Sequence, residues 1–409
     1  MPGLDDYRGI VGADTVEELR LLAGRVEGRS ILNVNSTAVG GGVAEILSRL
    51  VPLFREMDVD ARWEVIKGGE GFHAATKRFH NALHGAGASV MDRDYQIYEE
   101  TLRENLASLN LEADIVFIHD PQPAGLVTKR TQLGNRWIWR CHIDLSRPDP
   151  GVWRFFETYV RQYDACVFSA PSFARRLPVP EILISPSIDP LSDKNRELTP
   201  GEIGEILQRL QIATDKPLVT QVSRFDRLKD PLGVIEAFRL ARASVAARLL
   251  LVGGPADDDP EGAQVLAEVQ ERARGDEDVT VLCLPPTSHV EINAIQRAST
   301  IILQKSVREG FGLTVTEGLW KQKPVIAGAV GGLPIQIRHK FSGILTHSIE
   351  GTAYWLRHLL NEPNYAKWLG KNGREGVRQN FLLTRQLRDY LLLFIFLESR
   401  DRDFIRLSP

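Results

Sequence analysis

Residues 30–54 read SILNVNSTAVGGGVAEILSRLVPLF. The first six form a brief β-prone run that ends on Asn35, as a strand buried in a parallel sheet does. Further on, Val43, Ile46, Leu47, Leu50, Val51 and Phe54 recur at the spacing that lines one face of a helix. Between the two lies Asn35-Ser36-Thr37-Ala38-Val39-Gly40-Gly41-Gly42. Strand, glycine-rich turn and amphipathic helix make one β–α unit, the building block of a doubly wound sheet.

The unit repeats along the chain. Further strands are expected at 62–67, 114–119, 136–141, 165–169 and 181–185, then at 217–222, 248–252, 279–284, 300–304 and 324–327. Helical segments lie between them, which implies parallel sheets with right-handed crossovers. The stretch 185–200, SPSIDPLSDKNRELTP, is rich in Pro, Ser and charge and separates the two series. The expected fold is α/β, with two Rossmann-like doubly wound domains at 1–187 and 188–380. An unusually apolar segment within 381–409 is expected to be a helix that crosses back to the first domain, or a dimer contact.

Composition narrows the function. A net charge of −3 without a basic tail or stripe argues against nucleic acid as a partner. The start, MPGLDDYRGIVGADTVEELR, is acidic and lacks the apolar core of a signal peptide. The longest apolar run, 390–397, is too short to cross a bilayer, so no membrane partner is expected. Cys141, Cys166 and Cys283 form no CxxC pair and fit a reducing, cytoplasmic compartment.

Ligands of doubly wound sheets bind at the carboxyl ends of the strands, and the candidate motifs fall there. The glycines at 40–42 suit an anion or a plain turn; they do not match GxGxxG. Ser223-Arg224-Phe225-Asp226-Arg227-Leu228-Lys229 follows a strand, and Arg224 with Lys229 is either a diphosphate clamp or a solvated face. Glu309-Gly310-Phe311-Gly312-Leu313-Thr314-Val315-Thr316-Glu317 is the sharpest signal. Backbone N–H groups near Gly312 and Thr314 suit phosphate oxygens, and the two carboxylates suit sugar hydroxyls, unless both glutamates are surface residues of a capped helix.

His119-Asp120-Pro121-Gln122 and Arg140-Cys141-His142-Ile143-Asp144 close two strands of the first half and suit sugar contacts or structural bonds. Asp257-Asp258-Asp259 precedes Pro260 and reads as helix capping, so no metal is implied. Val252-Gly253-Gly254-Pro255 reads as a strand-to-helix turn, and Gly331-Gly332 as a turn or part of a phosphate floor.

Arg224 and Lys229, followed by Glu309 and Glu317 in E-x7-E spacing, resemble the retaining glycosyltransferases of family 4, whose fold is GT-B, with two Rossmann-like domains facing across a cleft. More narrowly, NVNST with GGGVAEIL, then HDPQPA, RCHIDLS, PSIDPLS, QVSRF and REGFGLTVTE are similar to the trehalose glycosyltransferring synthases. That resemblance implies transfer of glucose from a nucleoside-diphosphate-glucose, such as UDP- or ADP-glucose, to free glucose, giving α,α-trehalose with retention. Other sugar acceptors and a nucleotide-sugar epimerase are the alternatives. A glycoside hydrolase built on Glu309 and Glu317 would have no use for the phosphate clamps.

Carried over, the catalytic set would be Arg224 and Lys229 on the diphosphate, Glu309 on the donor glucose, and His142 near the reacting centre. Gly41, Gly42, Gly310, Phe311, Gly312, Leu313 and Thr314 would meet donor phosphate and sugar, with the glycine loop also bounding the acceptor side. Glu317 would bind the ribose, Cys283, Leu284 and Pro285 the base, and Asn35, Asp120, Gln122 and Asp144 the acceptor. No cofactor is required for folding and no divalent metal is implied, while a homodimer is left open by the apolar C-terminal segment. Arg338-His339-Lys340 replaces the usual Asp-Gly turn, and the altered stretch 338–347 is expected beside the floor of the nucleotide pocket.

Overall fold

The computed structural model describes residues 2–39, 42–85, 87, 89–254 and 260–398, the side chains of 260 and 261 excepted. Gly41 and the 257–259 aspartates therefore lie outside the described residues.

The first sheet holds β1 (Ser30–Asn35), β2 (Asp60–Val65), β3 (Ile115–His119), β4 (Arg136–Cys141), β5 (Ala165–Phe168) and β6 (Glu181–Leu183). All pairs are parallel, in the order β2-β1-β3-β4-β5-β6. β3, β4 and β5 are buried almost throughout, as continuous apolar runs covered on both faces must be. The helix Gly42–Glu56 buries Ile46, Leu47, Leu50, Val51 and Phe54 of the expected stripe, each apolar side chain contributing roughly 1.5–3 kcal/mol.

The second sheet holds β7 (Leu218–Val222), β8 (Arg248–Gly253), β9 (Val279–Cys283), β10 (Ile301–Gln304), β11 (Val325–Gly328) and β12 (Ile344–Thr346), again all parallel. Its order is β12-β11-β10-β7-β8-β9. Each sheet has one point where the strand order reverses, between β1 and β3 in the first and between β7 and β10 in the second. Loops leaving such a pair at their carboxyl ends part to opposite faces and leave a crevice.

The chain divides into two units, one continuing to Ser187 and resuming at Leu383, the other spanning Ile188–Leu382. The second boundary falls two residues beyond the expected 380/381, because Phe381 packs on Phe311 with ring centroids 5.7 Å apart. The helix Leu383–Glu398 belongs to the first unit: Tyr390 packs edge-on against Phe117 of β3 at 5.0 Å, and Phe394 lies 5.9 Å from Phe54. Among the described residues no helix is long and apolar enough to cross a membrane.

The altered stretch 338–347 runs through β12. Its basic residues, 338–340, lie before the amino end of β12, where a Cβ on Gly343 would lie 3.0 Å from the carbonyl of Val325, the first residue of β11. In a parallel sheet that is the edge opposite the ligand loops, whereas Thr346 and His347 stand at the carboxyl end of the strand.

Candidate active site

In the second unit the crevice at the β7/β10 switch point is built by two loops that hold each other. Asp226 caps the short turn Arg227–Lys229 by accepting from the Leu228 N–H at 2.7 Å. Gln221, inside β7, donates to the Lys229 carbonyl at 3.1 Å and accepts from the Lys305 N–H at 3.3 Å. The Val307 N–H donates to the Leu228 carbonyl at 2.8 Å. Gly253 makes room for this arrangement, since a Cβ there would stand 2.4 Å from the Ser223 carbonyl.

The result is an ion pair between a half-buried lysine and a buried carboxylate. Lys229 Nζ lies 2.6 Å from Glu309 Oε2, and the same oxygen accepts from Ser306 Oγ at 3.0 Å and Gln304 Nε2 at 3.2 Å. Burial alone would push the Glu309 carboxyl up. The Lys229 charge and the converging hydrogen bonds outweigh it and hold the group below the ordinary carboxylate range. Among the described residues nothing donates to Oε1.

The loop that follows depends on close backbone approach. Gly312 has φ +82° and caps the helix Leu313–Trp320, whose first N–H groups have no partner within the helix. Behind it, a Cβ on Gly331 would stand 1.7 Å from the Glu309 carbonyl, and one on Gly332 2.4 Å from that of Gly310. Gln336 donates to the Phe311 carbonyl and accepts from Thr316 Oγ1 at 2.6 Å. Gly331-Gly332 is thus a support beneath Glu309, Gly310 and Phe311.

Glu317 sits in the second turn of that helix and is buried, with Gln296 Nε2 3.1 Å from one oxygen and Lys194 Nζ 3.6 Å from the other. Beneath it Lys321 donates to Asn195 Oδ1 at 2.9 Å, and burial pulls its ammonium down to about 7. Lys229 and Glu309 are brought together; Arg224 is not with them, being largely exposed and 3.4 Å from Asp226. At the end of β9, Cys283 and Pro285 are exposed and Leu284 is buried, its N–H donating to the Gly253 carbonyl at 2.8 Å.

In the first unit the β1/β3 switch point carries a polar chain. His119, at the end of β3, has Nε2 3.1 Å from Asn33 Oδ1 and Nδ1 3.2 Å from His142 Nε2. Burial and the nearby Arg140 charge hold His119 down at about 3 and His142 well below its ordinary value, so both rings are neutral. Asp120, at φ +68°, accepts the His142 backbone N–H at 2.7 Å, and burial pushes its carboxyl up to about 7.

The remaining acceptor candidates are more occupied. Asn35 is buried, accepting from Trp63 Nε1 at 2.9 Å and donating to the Thr37 carbonyl at 2.7 Å. Asp144 is buried and accepts from the Ser146 N–H at 2.8 Å. Gln122 keeps Oε1 without a partner among the described residues, and Gly42 opens the helix Gly42–Glu56.

Three residues escaped the sequence reading: Asn33, Gln304 and Ser306. The first two carry a signal, polarity within an apolar strand: Asn33 interrupts SILNVN and Gln304 ends IILQ. Arg140, named only as part of a strand-end motif, is fully buried and interrupts RWIWRC, and Ser306 lies in the loop after β10. Among the described residues no group of three His, Cys, Asp or Glu could hold a metal ion.

Residues 33–175 match the family described as "Trehalose synthase, N-terminal domain", and residues 202–376 match "Glycosyl transferases group 1". The chain is 44% identical over 400 residues to a trehalose synthase of Rubrobacter xylanophilus, covering 96% of each chain. It is 43% identical over 398 residues to a trehalose synthase of Pyrococcus horikoshii, covering 95% of each. Among solved structures, an α,α-trehalose-phosphate synthase (UDP-forming) from Burkholderia xenovorans superposes with a TM-score of 0.73 at 14% identity, over 91% of this chain and 100% of that one. The architecture is GT-B, as the motifs implied.

Proposed function

Because the chain belongs to the trehalose synthase family, we propose that it transfers glucose from a nucleoside-diphosphate-glucose to free glucose, giving α,α-trehalose with retention at the anomeric carbon. The observation that carries this reading is the Lys229–Glu309 pair, set beside the N-terminus of the helix Leu313–Trp320. A nucleoside diphosphate leaves as an anion, so a cation and oriented N–H groups stabilise charge that grows in the transition state.

In this reading the second unit binds the donor. Lys229 and Arg224 hold the diphosphate, the N–H groups around Gly312, Leu313 and Thr314 meet phosphate and sugar, and Glu309 Oε1 accepts from donor-sugar hydroxyls. Glu317 takes the ribose, and the backbone at Cys283, Leu284 and Pro285 takes the base. The first unit supplies His142 to the donor sugar and Asp120, Gln122, Asn35 and Asp144 to the acceptor side. The departing phosphate takes the acceptor proton, so no protein acid is needed and Glu309 stays ionised. We place the enzyme in the cytoplasm, which its unpaired cysteines fit. A homodimer is supported by the exposed rings of Phe341, Tyr354 and Trp368, and sedimentation measures it.

The test is incubation of the purified protein with glucose and UDP-, ADP- or GDP-glucose, with products resolved by chromatography. Trehalose and free nucleoside diphosphate are expected together. Nucleoside diphosphate released only with another acceptor would overturn the trehalose assignment. No release with any donor would overturn transfer itself.

A further inference from the structure

The chain Asn33–His119–His142 has one consistent arrangement of hydrogens. Asn33 Nδ2 points at the Arg62 carbonyl at 3.4 Å, and turning the amide over would set two oxygens against each other there. Oδ1 therefore faces His119 Nε2, which must donate to it. A neutral His119 then offers a lone pair at Nδ1, and His142 Nε2 must carry the hydrogen that fills it. A neutral His142 is left with a lone pair at Nδ1. Among the described residues nothing donates to that nitrogen, and His142 keeps part of its surface in solvent.

We propose that Asn33 and His119 are positioning residues that lock His142 in the Nε2–H tautomer, so that its Nδ1 accepts a hydrogen bond from a hydroxyl of the donor glucose. This rests on the proposed placement of His142 at the donor sugar. Asn33 comes from the middle of β1, His119 from the end of β3 and His142 from the residue after β4, so three neighbouring strands fix one lone pair. A histidine free to change tautomer would at times present an N–H there instead, which cannot accept the hydrogen of a hydroxyl.

The charged and titratable groups around the chain are few. Arg140 on β4 disfavours protonation of both rings, Asp120 faces the His142 backbone, and Tyr390 and Arg385 come from the helix Leu383–Glu398 to the region of Arg140. With neutral Asn33 as the terminal acceptor, the relay takes up no proton in the working range.

The experiment measures kcat/KM for the donor in the wild type, Asn33→Leu and His142→Ala, with ring-nitrogen NMR of 15N-histidine-labelled protein. Expected are Nε2–H on His142 in the wild type and a loss of about tenfold in kcat/KM in Asn33→Leu, the size of one hydrogen bond to the sugar. A hydrogen on His142 Nδ1 in the wild type overturns the relay even if Asn33→Leu fails to fold. Full activity in His142→Ala with the Nε2–H tautomer intact overturns instead the placement of His142 at the sugar.

Discussion

Lys229 and Glu309 are 80 residues apart in sequence, and Lys229 Nζ lies 2.6 Å from Glu309 Oε2 across the switch point between β7 and β10. Glu309 is buried and Lys229 half-buried, so the pair serves binding and stability at once. Glu309→Gln and Lys229→Ala are each expected to cut turnover by on the order of a hundredfold, measured as nucleoside diphosphate release. Lys229→Ala leaves a buried carboxylate without its cation and is expected to cost about 3 kcal/mol in denaturant unfolding. Adding Glu309→Gln to it should return part of that loss, as a double-mutant cycle would read.

Gly331 bears on the same carboxylate through the backbone. With φ +54° and the Glu309 carbonyl 1.7 Å from where a Cβ would stand, Gly331→Ala is expected to displace the Glu309 loop and cost about 3 kcal/mol or more. Gly376, inside the helix Pro363–Asn380, has nothing within 4 Å of its Cβ position. Gly376→Ala should raise the melting temperature, by about 0.5–1 kcal/mol in stability, and serves as the control.

Asp120 gives a pH dependence of one sign. Its folded pKa of about 7 stands above the ordinary carboxylate value because burial opposes the charge. Its contribution to stability is therefore complete below about pH 4 and is lost as pH rises through about 7. Asp120→Asn keeps an oxygen for the His142 N–H and should flatten unfolding free energy over that window.

Lys321 gives the opposite sign. Burial holds its folded pKa at about 7, against about 10.4 in an unfolded chain. The folded protein binds fewer protons between those values, so this contribution is complete above about pH 10 and is lost as pH falls to about 7. Lys321→Met should abolish that slope in unfolding measured across alkaline pH.

Eleven strands were legible because each is a short apolar run closed by a turn residue. The last, β12, is three residues long behind Arg338, His339 and Lys340, and its basic approach hides it. The E-x7-E spacing marked Glu309 and Glu317, but not that the first faces Lys229 while the second lies among Gln296, Lys194 and the backbone above Lys321. Partners set by strand order carry no spacing signal: His119 meets His142 only because β3 lies beside β4. Asn33 was visible as a polar residue within an apolar strand, yet its partner depends on the strand order β2-β1-β3.

The helix Leu383–Glu398 closes the unit that begins the chain, so the Ile188–Leu382 unit is an insertion within it. During synthesis from the amino end, the inserted unit has all its strands in hand while the first still lacks the helix that covers Phe54 and Phe117. The nascent first unit, its strands complete by Leu183, therefore waits with apolar surface uncovered for about the second half of translation. A ribosome that stops short of Leu383 releases a finished inserted unit tethered to an open one, which makes the last helix the seal on the protein's assembly.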